Sequence, residues 1–424
     1  MADTPSALDA WLARLEQLHP STIELGLDRV RRVKDALGLA PAFPLIVVGG
    51  TNGKGSTCAY LEAVLGAAGY RTGLYTSPHL LRYNERVRIA GREADDADLV
   101  AAFERIDVAR GDTSLTYFEF GTLGAMLQFI DAGVDVAILE VGLGGRLDAV
   151  NVFDADAAIV TSVDLDHIEY LGDTREQIGF EKAGIYRAGR PAICADPVPP
   201  ASLLEQAGRI GAGLRCYGRE FAARREGGRW RYEGVDATWP ALPLPAMPGP
   251  FQLRNAAAAL AALEALAARL PVGEAAIRAG LAEARVAGRF QRVACAPEVI
   301  LDVAHNPEAA RALAAALREQ PAKGRTLAVV GMLADKDAAG VVAALRDAID
   351  AWWACTPDSP RARDAATLAA IVRDATGAAE VSVQPDVWRA LAEARGAARE
   401  DDRILVFGSF YTVAAVLDHA ATQQ

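Results

Sequence analysis

Paired cysteines are missing from this sequence. Its 424 residues include five, Cys58, Cys194, Cys216, Cys295 and Cys355, at no short or metal-type spacing. An odd, dispersed set excludes a disulfide framework or a zinc cluster and reads as reduced thiols used as small core residues. Positive charge is also scarce: 44 Lys and Arg stand against 55 Asp and Glu, a net −11. That balance argues against nucleic acid as a partner, since a phosphate backbone needs a basic face, but a local basic pocket can still hold a small anion. No charge-free apolar run reaches the ~18 residues a membrane helix needs. The nearest, Asn255 to Leu270, is interrupted by Glu264 and Arg269. Met1-Ala2-Asp3-Thr4-Pro5 lacks a basic segment followed by an apolar one, so no secretory leader is read there. Internal repeats and low-complexity tails are absent too. The expectation is a cytoplasmic protein with neither nucleic acid nor membrane as partner.

What remains is an ordinary globular composition, 51% apolar and 23% charged. The length suggests two to three domains at roughly 150 residues each. Residues 1–40 read as largely helical, broken by a loop from Leu18 to Leu27. Short apolar strands then alternate with helical stretches, at Ile46–Val48, Thr72–Tyr75, Val134–Val141, Ala157–Val163 and Pro191–Cys194. Such alternation implies a mostly parallel sheet covered on both faces. Phe221 to Trp239 alternates differently, with glycines and charges, and is expected to be a surface β-hairpin. The proline-rich stretch Pro243–Pro250 precedes a helix expected from Leu253. A second α/β series follows, with strands expected at Arg292–Cys295, Val299–Val303, Leu327–Val330, Trp352–Cys355 and Ile404–Phe407. The boundary is placed near Val286-Ala287-Gly288, after a helix from Glu274 to Arg285. The domains are therefore 1–286 and 287–424.

Directly after Phe43-Pro44-Leu45-Ile46-Val47 comes Val48-Gly49-Gly50-Thr51-Asn52-Gly53-Lys54-Gly55-Ser56-Thr57. A β-branched strand, a glycine-rich turn with one lysine and adjacent hydroxyls, then a helix, is architecture for binding phosphate. Glycines let backbone N–H groups turn toward phosphate oxygens, and the positive helix end adds attraction. Lys54 supplies a point charge for the β- and γ-phosphates, and Ser56 or Thr57 a hydroxyl for Mg²⁺. Gly55 stands where the usual P-loop has Ser or Thr, and the loop is shorter. The structural alternative is a plain strand–turn–helix corner with a surface lysine.

Ligands of open parallel sheets sit beyond the carboxyl ends of the strands. Those ends carry Thr76-Ser77-Pro78-His79-Leu80, then Glu140 followed by Val141-Gly142-Leu143-Gly144-Gly145-Arg146-Leu147-Asp148, then Val163-Asp164-Leu165-Asp166-His167. An acidic residue closing a strand beside a phosphate loop suits Mg²⁺, a hard cation that takes oxygen ligands. Each residue also has a structural reading. Glu140 can cap a helix or pair with a cation, Asp164 and Asp166 can cap a helix, His167 can be a hydrogen-bonded structural histidine, and Lys182 a solvated helix lysine. In the second series Arg289 can grip phosphate bidentately and Asp302 can accept from ribose hydroxyls. Arg289 can equally join domains by an ion pair, and Asn306 before Pro307 can be a helix N-cap.

Taken in order, Thr51-Asn52-Gly53-Lys54-Gly55-Ser56, Thr76-Ser77-Pro78-His79-Leu80, Glu140 to Asp148, Asp166-His167, Glu181-Lys182-Ala183-Gly184-Ile185, Gly288-Arg289-Phe290-Gln291 and Asp302-Val303-Ala304-His305-Asn306-Pro307 resemble the folylpolyglutamate synthase family of the Mur ligase superfamily. The likeness is greatest to its bacterial bifunctional dihydrofolate synthase/folylpolyglutamate synthase members, and runs from Trp11 to Thr412. The resemblance implies an ATP-binding P-loop α/β domain of Mur ligase central type, with pterin-binding loops, followed by a smaller Rossmann-like α/β domain. It implies ATP-dependent joining of L-glutamate to dihydropteroate and to tetrahydrofolate derivatives through an acyl phosphate, in folate biosynthesis and one-carbon metabolism. ATP and Mg²⁺ at two sites are the implied cofactors, with a monovalent cation as a further expectation, and the chain is expected to be a monomer.

By the same resemblance Lys54, His167 and Lys182 are catalytic. ATP is held by Thr51, Asn52, Gly53, Lys54, Gly55, Ser56, Asn255, Arg289, Asp302 and His305. Metal ligands are Ser77, Glu140, His167 and Lys182, the last as a carbamate. Substrate contacts come from the loop Thr22 to Gly26, with Glu24, Leu25 and Gly26, and from Phe118, Leu147, Asp148 and Ala149. One departure is Gly408-Ser409-Phe410-Tyr411-Thr412, with tyrosine where the family has histidine. Alternatives are a monofunctional folylpolyglutamate synthase, another Mur-type amide ligase, or a nucleotide-binding protein without catalysis.

Overall fold

The computed structural model describes residues 6–21, 23–377 and 380–422, with side chains of the last helix described to 418. The segment Met1–Pro5, read above for a leader, and Thr22 of the substrate loop lie outside the described residues. The chain forms two compact units, one of Met1–Ala246 with Leu253–Ala284, the other of Met247–Gln252 with Arg285–Gln424.

The first unit is built on an eight-stranded sheet. Its strands are β1 (Leu45–Gly49), β2 (Thr72–Tyr75), β3 (Val87–Ile89), β4 (Arg92–Glu93), β5 (Val136–Glu140), β6 (Ala157–Val160), β7 (Pro191–Cys194) and β8 (Gly213–Cys216), in the order β4-β3-β2-β5-β1-β6-β7-β8. All neighbours are parallel except the β2-β3 and β3-β4 pairs. Strands β1, β5 and β6 are buried at every position, which is why they read as continuous apolar runs rather than alternating ones. Helices Lys54–Ala67 and Tyr117–Ala132 follow β1 and precede β5. Tyr75, Phe120, Phe129, Leu139 and Val160 join one apolar core. The edge strands β4 and β8, and β3 beside β4, escaped the sequence reading because they are short and carry Arg88, Arg92, Glu93 and Arg215.

The stretch expected to be a surface hairpin is a separate three-stranded antiparallel sheet of β9 (Ala222–Glu226), β10 (Arg229–Glu233) and β11 (Thr238–Pro243). It is not merely a surface excursion. Alternation along β10 sends Trp230 and Tyr232 inward, both fully buried, while Arg229 and Arg231 face out. The Tyr232 hydroxyl donates to Glu264 of the helix Pro250–Ala265 at 2.5 Å, and its ring stacks on Trp239 with centroids 5.0 Å apart. The Glu264 that interrupts the alanine-rich stretch is thus the acceptor that fastens this sheet.

The second unit holds β12 (Gln291–Cys295), β13 (Glu298–Asp302), β14 (Thr326–Val330), β15 (Ala351–Cys355), β16 (Ser382–Gln384) and β17 (Arg403–Phe407), in the order β12-β13-β17-β14-β15-β16. Only the β12-β13 pair is antiparallel. Ile300, Val330, Leu405 and Phe407 lie in its core. Among the described residues no helix is long and apolar enough to cross a membrane. All five cysteines are free, four of them buried and Cys295 exposed.

Two glycines give opposite stability predictions. A Cβ on Gly121 would meet the Tyr83 hydroxyl at 2.6 Å and that of Tyr75 at 3.0 Å. Gly121→Ala is expected to destabilise by about 1–3 kcal/mol through overpacking. Gly66 is exposed in the helix Lys54–Ala67 with nothing within 4 Å of its virtual Cβ, so Gly66→Ala should stabilise by about 0.5–1 kcal/mol. Urea midpoints of the two variants, moving in opposite directions, check both.

Candidate active site

Strand β1 lies between β5 and β6, at the place where the chain's strand order reverses. That is where a crevice opens beyond the carboxyl ends of a parallel sheet. The loop leaving β1 turns through Gly50 at φ +142° and Gly53 at φ +87°, values that L side chains adopt only under strain. At Gly50 a Cβ would lie 1.9 Å from Thr161 Oγ1, and at Gly53 2.6 Å from Asn255 Oδ1. The loop is bolted to the end of β6. Thr51 N–H donates to the Ser162 carbonyl at 2.8 Å, Asn52 N–H to Ser162 Oγ at 3.1 Å, and Thr161 Oγ1 to the Asn52 carbonyl at 2.7 Å. Thr51 Oγ1 accepts from Asp164 N–H at 3.0 Å. The Lys54 ammonium donates to the carbonyls of Gly50 at 3.0 Å and Thr51 at 3.1 Å, so it is held over the loop. Thr57, a hydroxyl candidate from sequence, is fully buried in the helix, and its hydroxyl has no protein partner.

Glu140 ends β5 beside this loop. Its carboxylate is buried, its two oxygens are each 3.9 Å from a virtual Cβ on Gly55, and it accepts from Ser77 N–H at 3.2 Å. Ser77, Glu140 and Lys54 therefore share one rim. Among the described residues no group of three or more His, Cys, Asp or Glu forms a ready cation cage. One carboxylate with a neighbouring hydroxyl fits Mg²⁺, which keeps several waters and completes its octahedron with substrate phosphates.

His167 follows β6 in a left-handed conformation at φ +50° and keeps 39% of its side chain exposed. Its loop is held by Asp196, just past β7, whose carboxylate accepts from Val163 N–H at 2.7 Å and from Arg175 at 3.1 Å. Sequence reasoning passed over Asp196, although the same strand-end rule applied to β7 would have found it. Lys182 is buried in the last turn of the helix Arg175–Ala183. That turn is clamped to the glycine loop after β5. Arg146 N–H donates to the Glu181 carbonyl at 2.8 Å, and the Arg146 guanidinium donates to the Glu181 carboxylate at 2.9 and 3.1 Å. A Cβ on Gly145 would approach the Glu181 and Lys182 carbonyls at 2.9 and 3.0 Å, so the two segments touch backbone to backbone.

The segments expected to contact substrate also converge. Gly26 N–H donates to the Leu147 carbonyl at 3.3 Å. The Phe118 ring covers Gly142, with Cζ 2.7 Å from a virtual Cβ, and lies 5.7 Å from the Tyr75 ring. Asp148 caps the short helix Ala149–Val152, accepting from Leu143 N–H at 2.8 Å and Val150 N–H at 3.0 Å. Burial pushes its carboxyl up to about 7, against the pull of those amides and of Lys54. Leu25 and Leu147 are half-buried, and Ala149 is buried. Glu24 is bonded by His19 and Arg29, and the His19 hydrogen bond, with Arg29 beside it, holds its carboxyl below the usual range.

In the second unit Asp302 ends β13 and accepts from Phe290 and Ala304 N–H, both at 2.8 Å. Burial raises its carboxyl, and the Arg289 guanidinium opposes the rise. Arg289 also lies 5.6 Å from the centroid of Phe410. His305 Nδ1 is 2.9 Å from the Val303 carbonyl, to which it donates. Asn306 is a helix cap, its side chain accepting from Ala309 N–H at 2.9 Å. Tyr411, at the place of the expected histidine, is exposed in the first turn of the helix Phe410–Thr422.

The family model of the Mur ligase middle domain matches residues 48–263, and that of the Mur ligase glutamate ligase domain matches residues 288–410. The dihydrofolate synthase/folylpolyglutamate synthase of Escherichia coli (strain K12) is 48% identical over 414 residues, spanning 97% of this chain and 95% of that protein. Its counterpart from Haemophilus influenzae is 40% identical, with 96% of each chain covered. The solved structure of E. coli FolC in complex with DHPP and ADP superposes with a TM-score of 0.93 at 47% identity, covering 99% of this chain and all of that one. The Yersinia pestis bifunctional enzyme complexed with AMPPNP and Mn ion gives a TM-score of 0.91 at 46% identity over the whole of both chains. With the phosphate loop, the acidic strand end and the clamped lysine each on its own element of the same fold, this chain belongs to the Mur ligases, in the dihydrofolate synthase/folylpolyglutamate synthase family.

Proposed function

We propose that this chain is an ATP-dependent ligase that joins L-glutamate to dihydropteroate, forming dihydrofolate, and to tetrahydrofolate derivatives, extending their glutamate tails. The amides of Thr51 to Ser56 and the Lys54 ammonium hold the phosphates at the helix N-terminus. Asn255 touches the same loop, and Arg289, Asp302 and His305 are further proposed nucleotide contacts. Ser77, Glu140 and His167 hold Mg²⁺, and Lys182 as a carbamate offers an anionic oxygen to a second ion. When bound, the metal neutralises charge that gathers on the transferring phosphoryl group.

The acid's carboxylate oxygen attacks the γ-phosphorus and ADP leaves, giving an acyl phosphate. The glutamate amine then attacks the acyl carbon, loses a proton, and inorganic phosphate departs with the transferred oxygen. Glu24, Leu25, Gly26, Phe118, Leu147, Asp148 and Ala149 contact the pterin acid, and Glu24 also ties its loop in place. The observation that carries this reading is the convergence, around one rim, of the phosphate loop, Glu140 and the segments at Gly26, Phe118 and Leu147. Similarity along nearly the whole chain to the E. coli and Y. pestis enzymes, at 48% and 46% identity, supports it. A cytoplasmic monomer is the accompanying reading.

Phosphate release measured with ATP, dihydropteroate and L-glutamate tests it. Release that needs all three is the expected result, and no release with any pterin acid overturns the assignment. A monofunctional synthase would turn over a reduced folate and leave dihydropteroate untouched. A nucleotide-binding protein without catalysis would bind ATP with no glutamate-dependent release.

A further inference from the structure

Among its described residues, the segment between the helices Ala7–Leu18 and Asp28–Ala36 has no helix or strand. It contains Glu24, Leu25 and Gly26, so something else must hold these residues in place. His19 is nearly buried, at 6% side-chain exposure, with Nδ1 3.0 Å from Ser114 Oγ and Nε2 2.9 Å from Glu24 Oε2. Arg29 grips the same residue twice, its guanidinium pairing with the Glu24 carboxylate and donating to the Glu24 carbonyl at 3.0 Å. The other edge of that guanidinium meets Glu119, at 3.2 Å to Oε1 and 3.4 Å to Oε2.

Glu119 is itself immobilised. It is buried in the first turn of the helix Tyr117–Ala132, and its Oε2 accepts from Thr116 N–H at 2.8 Å. Its neighbour in sequence is Phe118, the ring that covers Gly142. One guanidinium thus ties the loop to the helix that places Phe118, while Gly26 ties the loop to Leu147.

We infer that Arg29, braced by Glu119, is a positioning residue that sets the affinity for the pterin acid by ordering residues 23–27 before substrate arrives. The inference rests on the reading of this region as the pterin side of the site. Arginine suits the task because its planar fork serves two carboxylates at once, which a lysine ammonium does not do with fixed geometry. Without it, the loop's ordering entropy is charged to each binding event. The phosphate loop has its own bolts on Thr161 and Ser162 and needs no help from Arg29.

The experiment is steady-state phosphate release by the full chain, comparing wild type with Arg29→Ala and Arg29→Lys. Arg29→Ala should raise KM for dihydropteroate by about 10- to 100-fold, leaving kcat within about threefold and KM for ATP unchanged, as expected when pre-ordering alone is lost. Arg29→Lys, which keeps the charge in the buried pair, should fall between the two. Equal rises in the KM of ATP and dihydropteroate, or a fall in kcat without a change in KM, overturn the inference and mark Arg29 as a general structural residue. Should Arg29→Ala fail to fold, Arg29→Lys decides alone: an unchanged KM for dihydropteroate overturns the inference. If wild type releases no phosphate with dihydropteroate, the functional reading fails first. If wild type is active and neither variant shifts KM, the positioning role alone fails.

Discussion

Lys54→Ala is expected to lower glutamate-dependent phosphate release by up to about a thousandfold, the upper end of what loss of one preorganised electrostatic group costs an active site. The argument is one of position and charge. Lys54 begins the helix after β1, and its ammonium sits over the loop on the carbonyls of Gly50 and Thr51. A γ-phosphate undergoing transfer gathers charge on its oxygens. The helix dipole and loop amides offset part of it, worth about 0.3–2 kcal/mol for the dipole, which is too little to replace a full charge. Stability should fall only by what the two hydrogen bonds within the loop supply, about 1.5–3 kcal/mol each for a charged donor, so the variant should still fold. The pair of measurements is a phosphate-release assay and a thermal melt. A folded variant with near-normal turnover would contradict the phosphate-cradle assignment, and a loss of both would point to folding instead.

Lys182→Ala should cost about a hundredfold or more in rate. Lys182 is buried to 3% exposure, and the uncharged amine of a lysine is the species that reacts with carbon dioxide. Its nitrogen lone pair attacks the carbon and a proton leaves, giving a carbamate anion. The clamp from Arg146 to Glu181 and the close approach of Gly145 keep the turn that bears this side chain at the glycine loop after Glu140. In the alanine variant a small carboxylate such as formate or acetate can take the place of the missing oxygens, so either should restore part of the activity. A second readout does not depend on turnover. Protein equilibrated with ¹³C-bicarbonate should show a carbamate resonance that Lys182→Ala lacks. Full activity of the variant in bicarbonate-free buffer, together with no such resonance in wild type, would remove the carbamate from the mechanism.

Much of this was legible before folding was considered. The buried parallel strands announce themselves because both faces are covered, so every residue from Leu45 to Gly49 and from Val136 to Glu140 is buried. The strand-end rule then marks Ser77, Glu140 and His167 without any contact being known. The apolar-run reading fails at β3 and β4, short strands at one side of the sheet hidden by their polar side chains. It also fails at β10, where the arginines suggest a solvated hairpin and Trp230 and Tyr232 are in fact buried against their own sheet and Glu264.

Asn306 and Asp148 show a subtler gap. Both sit inside motifs that suggest chemistry, and both also accept from backbone amides that no motif announces. The residues that hold the site in place carry no motif at all. Asp196 orders the loop before His167, and Arg29 reaches Glu119 across 90 residues of chain.

The chain's own pattern therefore determined which segments are the buried apolar strands, where the phosphate turn falls, and that its glycines must adopt backbone angles closed to other residues. Those are local matters of sterics and of two-sided burial, written within a few residues of each other. Tertiary structure alone decided that Thr161 and Asn255 press on that turn, that Arg146 clamps the helix of Lys182, and that Glu24 is a tether. Contacts between residues dozens to hundreds of positions apart depend on how strands are ordered in the sheet, and strand order leaves no periodic mark on a single chain.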